Sequence, residues 1–308
     1  ASPVFLSAMG DSLTHRGPDD CGSWNEGSIA LVHRRLSIID VKGSHQPMQS
    51  ADGRLVLAFN GEIFNYRELR KDLAYPFVTE GDTETLLAGL SVHGLEFVDR
   101  LVGQFAFALV DRESRTITLV RDRLGVLPLY YYLGPDLFVF GSETKAVLAG
   151  LPHRPSVDLA SLDAYLAGSS VPAPHTLFAG IKKVRAGHRL EVTADGEERL
   201  HRYWSPPEED EPGSWQEASA VDAVDQAVTA AVRSALVADV PVGAYLSGGV
   251  DSSLVVAKAA KLHSGPELHT FAAGFGDERQ DELPWARLVS EHVGSTHHEV
   301  AVRATDFD

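Results

Sequence analysis

Two hydrophobic rhythms divide the chain. Before residue 205, apolar positions come in short strand-length runs: IALVHRRLSIID (29–40), RLVLAFN (54–60), QFAFALVD (104–111), RTITLVRD (115–122), PLYYYL (128–133) and DLFVFGS (136–142). Phe105 to Val110 is apolar at consecutive positions, which predicts a strand covered on both faces. Helical spacing near Tyr66–Leu73 and Thr83–Val102 supplies the cover, so residues 1–204 read as a layered α+β domain. From 216 onward the rhythm changes. Val221, Val224, Val228, Val232 and Leu236 recur at helical spacing, followed by a strand at 240–246, a helix at 251–263, a strand at His269–Phe275, a helix at Glu282–Val293 and a strand at His297–Val300. This alternation predicts a parallel α/β sheet over 216–308, with ligands bound beyond the carboxyl ends of the strands. Between the two rhythms lies SPPEEDEPGSW (205–215), read as an exposed linker.

Composition narrows the functional classes. With 308 residues, 44% of them hydrophobic, the chain can bury a substantial core. A net charge of −16 without a basic tract argues against nucleic acid as a partner. Cys21 is the single cysteine, which excludes an intrachain disulfide framework and makes a Cys-rich zinc site implausible. No apolar run reaches the length of a membrane span, and ASPVFLSAMGD lacks the basic flank of a signal peptide. The expectation is a cytoplasmic protein with no membrane partner.

LSGGVDSS (246–253) sits between the strand at 240–246 and the helix at 251–263. A strand-to-helix turn aims several backbone N–H groups and the positive end of a helix dipole at one spot, which suits phosphate. The plainer reading is a glycine turn with Ser252 or Ser253 as an N-cap. A Walker A loop is excluded, because Lys258 lies inside the helix. The stretch Leu246, Ser247, Gly248, Gly249, Asp251, Ser252 and Ser253 resembles the pyrophosphate loop of the ATP pyrophosphatases, which adenylate a substrate and release pyrophosphate.

Four polar clusters in the first domain are hard to explain by packing. They are HRGPDD (15–20), HRRLSIID (33–40) with Arg35 at the start of a strand, FNGEIFN (59–65) at a strand-to-turn junction, and GDTE (81–84) with Asp82 just before a helix. Each alone is more often a turn or a cap. In this order, with RDRLGVLPLYY (121–131) and SETKAVL (142–148), they resemble the class II glutamine amidotransferase domain, an N-terminal-nucleophile hydrolase. With LSGGVDSS behind it, the whole chain resembles the glutamine-hydrolysing asparagine synthetase family.

That resemblance implies an αββα sandwich over 1–204, followed by an ATP pyrophosphatase domain that is incomplete over 216–308. It implies an oxyanion hole from the Asn60 side chain and the Gly61 N–H. It gives Arg35 to the α-carboxylate of glutamine, and Glu62 and Asp82 to its ammonium group. In the second domain, Ser247 to Ser253 would cradle ATP, the backbone near Ala273 would meet adenine, and Asp251 would bind Mg²⁺. The family's nucleophile is a cysteine at the very N-terminus. Here the sequence opens Ala1-Ser2, and Cys21 follows HRGPDD, so Cys21 reads as a surface or partly buried thiol. The first strand and its cysteine are expected to be missing from the sequence given, as is the second phosphate-proximal motif beyond Asp308.

Adjacent His297 and His298 on a strand should point to opposite faces, which favours a structural role over a metal pair. The resemblance implies ammonia passed through an internal channel to an adenylated aspartate, with glutamine, ATP and aspartate as small-molecule partners, and it leaves a homodimer open. Two rivals remain: a related synthetase acting on another carboxylate, and a non-catalytic nucleotide-binding protein with a vestigial amidotransferase domain.

Overall fold

The structure, a computed structural model, describes residues 3–207, 216–265, 267–276 and 281–307. Most of the expected linker, residues 208–215, lies outside the described residues. The chain divides into two compact units, Ala1–Glu208 and Glu209–Asp308.

In the first unit α1 (Pro3–Asp11) precedes an antiparallel hairpin of β1 (Asp20–Glu26) and β2 (Ile29–Arg35). β3 (Met48–Gln49), β4 (Leu55–Ile63), α2 (Tyr66–Lys71), α3 (Asp82–His93), β5 (Gly103–Asp111) and β6 (Thr116–Arg121) follow. Then come β7 (Tyr130–Leu133), β8 (Phe138–Gly141), α4 (Thr144–Ala149), α5 (Leu159–Gly168), β9 (Ile181–Lys183), β10 (His188–Val192) and β11 (Glu198–Arg202).

Six strands form an antiparallel sheet in the order β11-β10-β6-β5-β4-β3, while β1-β2 and β8-β7-β9 form the facing layer. Strand alternation explains the sandwich. Ala106, Ala108, Leu119, Leu190 and Val192 of the large sheet pack on Leu129 and Tyr131, and Leu31 of β2 packs on Val56 and Val110. Outside the second layer, α4 places Val147 on Val139 and Ile181, and α1 lies along β2 and α4. Outside the large sheet, α3 packs on β4. The layers therefore run αββα.

Three expectations need correction. The strand at 29–40 ends at Arg35, because the Ser37 N–H is captured by the Asp19 carboxylate at 2.9 Å and the chain turns out of the sheet; Arg35 closes a strand rather than opening one. Asn60, Gly61 and Glu62 lie within β4, whose pairing with β5 continues to Ile63 opposite Gly103. The helix expected at 83–102 stops at His93, with Gly94 as its C-cap, and Gly94–Arg100 winds as a 3₁₀ turn.

The second unit holds α6 (Glu217–Ala235), β12 (Gly243–Tyr245), α7 (Val250–Leu262), β13 (His269–Gly274), α8 (Leu283–Val293) and β14 (Thr296–Ala301). Its strands are parallel in the order β12-β13-β14. Leu246, Val256, Ala259, Leu268, Ala286 and Val232 form the core. Only the later turns of α6 take part in it, since Val221 and Val224 remain exposed. His297 turns inward to the Thr270 hydroxyl at 2.9 Å, whereas His298 stacks on Phe271, so the pair does point to opposite faces. Among the described residues, no helix is long and apolar enough to cross a membrane.

Candidate functional site

β4 positions the first set of candidate residues. Its even positions Val56, Ala58, Asn60 and Glu62 share the face toward the second layer. Asn60 lies opposite Ala106 and Glu62 opposite Gln104 on β5, and the small side chains Ala58, Ala106 and Ala108 leave room between the layers. The result is a cavity of about 310 Å³ whose wall includes Arg35, Asn60, Gly61, Glu62 and Asp82. Three sequence clusters that are distant along the chain therefore meet at one place, with one departure in detail at Arg35.

Each member shows a feature that packing alone does not require. The Asn60 side-chain Nδ2 is buried and has no hydrogen-bond partner. An orphaned buried donor costs about 1–3 kcal/mol, which an acceptor on a bound ligand would relieve. Gly61 adopts φ +143°, and a Cβ there would lie 2.2 Å from the Gln104 carbonyl oxygen, so only glycine fits. The Asp82 carboxylate accepts the Ile63 N–H at 3.0 Å; burial, reinforced by the nearby charge of Glu62, pushes its pKa up to about 6. Burial also raises Glu62. Two carboxylates in one cavity, both penalised for being charged, call for a cation.

Arg35 is partly occupied. Its guanidinium donates to the carbonyls of Val41 (3.1 Å), Ile39 (3.1 Å) and Asp40 (2.8 Å), so it braces the loop that follows β2 while lining the cavity.

Sequence reading missed His33, Arg16, Gln104 and Gln46, all of which line the same cavity. For His33 a signal existed: it stands two residues before Arg35, hence on the same strand face. Burial, with the neighbouring Arg35 charge, lowers its pKa to about 4, so it is neutral at physiological pH. Gln46 offered none. Its side chain acts as a substitute strand, donating to the Phe59 carbonyl at 3.0 Å and accepting the Phe59 N–H at 2.6 Å.

The remaining motifs are architectural. Glu143 of SETK joins His15 (2.9 Å), Arg16 (3.3 Å) and Lys145 (3.0 Å), tying that motif to HRGPDD. Buried Asp122 accepts the N–H groups of Leu124 (3.1 Å), Val126 (2.9 Å) and Leu127 (3.0 Å), which shapes RDRLG. Cys21 is exposed on β1 and is not part of the cavity wall.

In the second unit, β12 leads through Leu246 into the loop Ser247–Gly249, and α7 begins at Val250 with Gly249 as its N-cap. Neither serine caps the helix, contrary to the plainer reading. Instead Ser247 and Ser252 join hydroxyls at 2.9 Å, and Gly249 N–H donates to Ser247 Oγ at 3.3 Å. Gly248 has φ +82°, and a Cβ there would lie 2.5 Å from the Trp285 Cβ. The Ser253 hydroxyl is buried without a partner, and Asp251 is exposed in the first turn of α7. Ala273 lies near the carboxyl end of β13. Among the described residues, no group of three or more His, Cys, Asp or Glu could hold a metal by itself.

Comparison with known proteins agrees with this geometry. The glutamine amidotransferase domain family matches residues 2–204, and the asparagine synthase family matches residues 223–307. Asparagine synthetase [glutamine-hydrolyzing] 3 of Bacillus subtilis is 34% identical over 98% of this chain and 52% of its own length. Asparagine synthetase B [glutamine-hydrolyzing] of Escherichia coli is 35% identical over 94% of this chain and 49% of its own. A putative asparagine synthetase of Methanocaldococcus jannaschii is 32% identical over 98% of this chain and 62% of its own. The chain thus spans about half the length of the curated relatives it matches. The family match takes in well over half of the chain and every residue of the cavity wall, and the protein belongs to the glutamine amidotransferase domain family, with an asparagine synthase match following in the same chain.

Proposed function

We propose that the protein hydrolyses glutamine in its first unit and uses the ammonia in an ATP-dependent amide synthesis in its second. Because its relatives are named glutamine-hydrolyzing asparagine synthetases, we take aspartate as the acceptor, with asparagine, glutamate, AMP and pyrophosphate as products. The observation that carries the reading is the cavity that holds an unpaired amide donor, two carboxylates whose pKa values burial raises, and a buried arginine. Glutamine presents the complementary groups: a carbonyl oxygen that becomes an oxyanion, an ammonium and a carboxylate.

The Asn60 amide and the Gly61 N–H donate to the oxyanion as charge develops on it, a role in which preorganised donors are worth most. Glu62 and Asp82 hold the ammonium; once it is bound, its charge favours their ionised forms. Arg35 faces the carboxylate and holds the loop at 39–41 in place. The family's attacking thiol is not assigned to Cys21, which is absent from the cavity wall.

In the second unit, the N–H groups of the Ser247–Gly249 turn and the unpaired Ser253 hydroxyl suit the phosphates of ATP. Mg²⁺ fits one mode only. It is commonly held by one or two carboxylates together with substrate phosphates, and exposed Asp251 supplies one such carboxylate. The ion would neutralise charge on the leaving pyrophosphate. The setting we propose is the cytoplasm, with small-molecule partners.

The deciding experiment incubates the complete protein with glutamine, MgATP and aspartate and scores glutamate, AMP, pyrophosphate and asparagine separately. Asparagine with AMP is expected. Glutamate without asparagine would move the acceptor to another carboxylate, and no turnover at all would overturn the reading.

A further inference from the structure

The loop after β2 carries a residue whose position is out of proportion to its plain sequence context. Asp40 adopts φ +47°, a conformation that non-glycine residues rarely take and that asparagine and aspartate tolerate best. Its carboxylate accepts from donors on two segments, among them the Gly43 N–H (3.1 Å) and the Ser44 hydroxyl (3.1 Å) within its own loop and the Glu80 N–H (3.1 Å) forty residues on. Its carbonyl accepts from Arg35 at 2.8 Å. Contact between the segments is tight, since a Cβ on Gly81 would lie 2.0 Å from the Ser44 hydroxyl oxygen and 3.2 Å from the Asp40 Cβ.

These contacts connect two parts of the cavity wall. On one side is Arg35, which holds the carbonyls of residues 39, 40 and 41. On the other, Glu80 and Gly81 lead directly into Asp82, the first residue of α3, whose carboxylate is tied to β4 through Ile63 N–H. Asp40 spans the two.

We infer that Asp40 is a positioning residue that sets the separation between Arg35 and Asp82, and thereby the selectivity of the cavity for a free amino-acid head group on the amide substrate. Asp40 itself does not touch the reacting amide. This inference rests on the glutaminase reading above. A carboxylate grip and an ammonium grip on separate elements recognise an α-amino acid only when their spacing is held, and misplacement by about 1 Å can cost about a hundredfold.

The test is steady-state glutamine hydrolysis by the complete protein in wild-type, Asp40→Asn, Asp40→Ala and Ser44→Ala forms. Each form is compared on glutamine and on glutaramate, which keeps the amide and the carboxylate but lacks the α-ammonium group. Asp40→Ala is expected to raise the KM for glutamine about ten- to hundredfold with kcat changed about twofold at most, and to narrow the preference for glutamine over glutaramate. Asp40→Asn keeps the backbone preference but loses the charge, and should fall between. Ser44→Ala removes one donor without touching the backbone, so it carries the test if Asp40→Ala fails to fold.

Folded variants with wild-type KM and unchanged preference would overturn the inference while leaving the glutaminase reading intact. A fall in kcat with KM and preference unchanged would also overturn it. Absence of glutamine hydrolysis in the wild-type protein would overturn the reading and the inference together.

Discussion

The two candidate sites are built in opposite ways. The cavity of the first unit takes Arg35 from the end of β2, Asn60 to Glu62 from within β4, and Asp82 from the start of α3, and it buries them between two sheets. The loop of the second unit is a single local turn between β12 and α7, with Asp251 in the open. The first site gains strength from exclusion of water, which raises Asp82 and leaves Asn60 unpaired, and it depends on every loop that holds it. The second offers backbone N–H groups at a turn and the N-terminus of one helix.

That difference predicts separable failures. Asp251→Asn should abolish ATP-dependent synthesis in the complete protein while glutamine hydrolysis continues. A parallel loss of both, measured as glutamate and AMP release, would show that the two sites are not independent. Asn60→Ala should lower glutamine hydrolysis by about two to three orders of magnitude through loss of an oxyanion donor. Unchanged turnover in a glutamate-release assay would remove Asn60 from the hole.

The buried carboxylates predict a smaller effect, on pH. Because the Asp82 pKa is raised in the folded protein to about 6, its contribution to stability is fully present below its ordinary value of 3.8 and is lost as pH rises through about 6. A bound ammonium reverses the preference by favouring the ionised form. Affinity for glutamine should therefore strengthen between pH 5 and 7, with a proton released on binding, and Asp82→Asn should flatten the profile. Glu62 is raised in the same direction, while His33 stays neutral across this range. Calorimetry in buffers of different ionisation heat counts the proton. The smallest effect is expected at Cys21. Cys21→Ser should leave hydrolysis within about twofold, and a large loss in the same glutamate-release assay would bring that thiol into the chemistry.

The local structure of the second site was legible in sequence, because a strand, a glycine turn and a helix are contiguous and their spacing shows in the chain. Even there the capping differed, with Gly249 rather than a serine at the start of α7. The first site was legible as a set of parts: Arg35, Asn60, Gly61, Glu62 and Asp82 all stood out as polar breaks in apolar patterns. Their placement was read less well. Arg35 closes its strand, and Asn60 to Glu62 sit inside a long one, because long-range pairing of β4 with β5 carries the ladder past the local turn signals. Gln46 gave no signal at all, since completing a strand edge with a side chain has no sequence period.

The sequence by itself determined the layered and alternating halves, the break between them, the strand-to-helix turn and the identity of polar residues that line the cavity. These follow from local spacing, which the chain carries whether folded or not. Only the tertiary structure decided that Asn60 would lack a partner, that Asp82 would hold its proton to about pH 6, that Arg35 would brace three carbonyls, and that Asp40 would span two loops. Burial and hydrogen bonding are properties of what surrounds a residue, and here those surroundings come from segments tens of residues away.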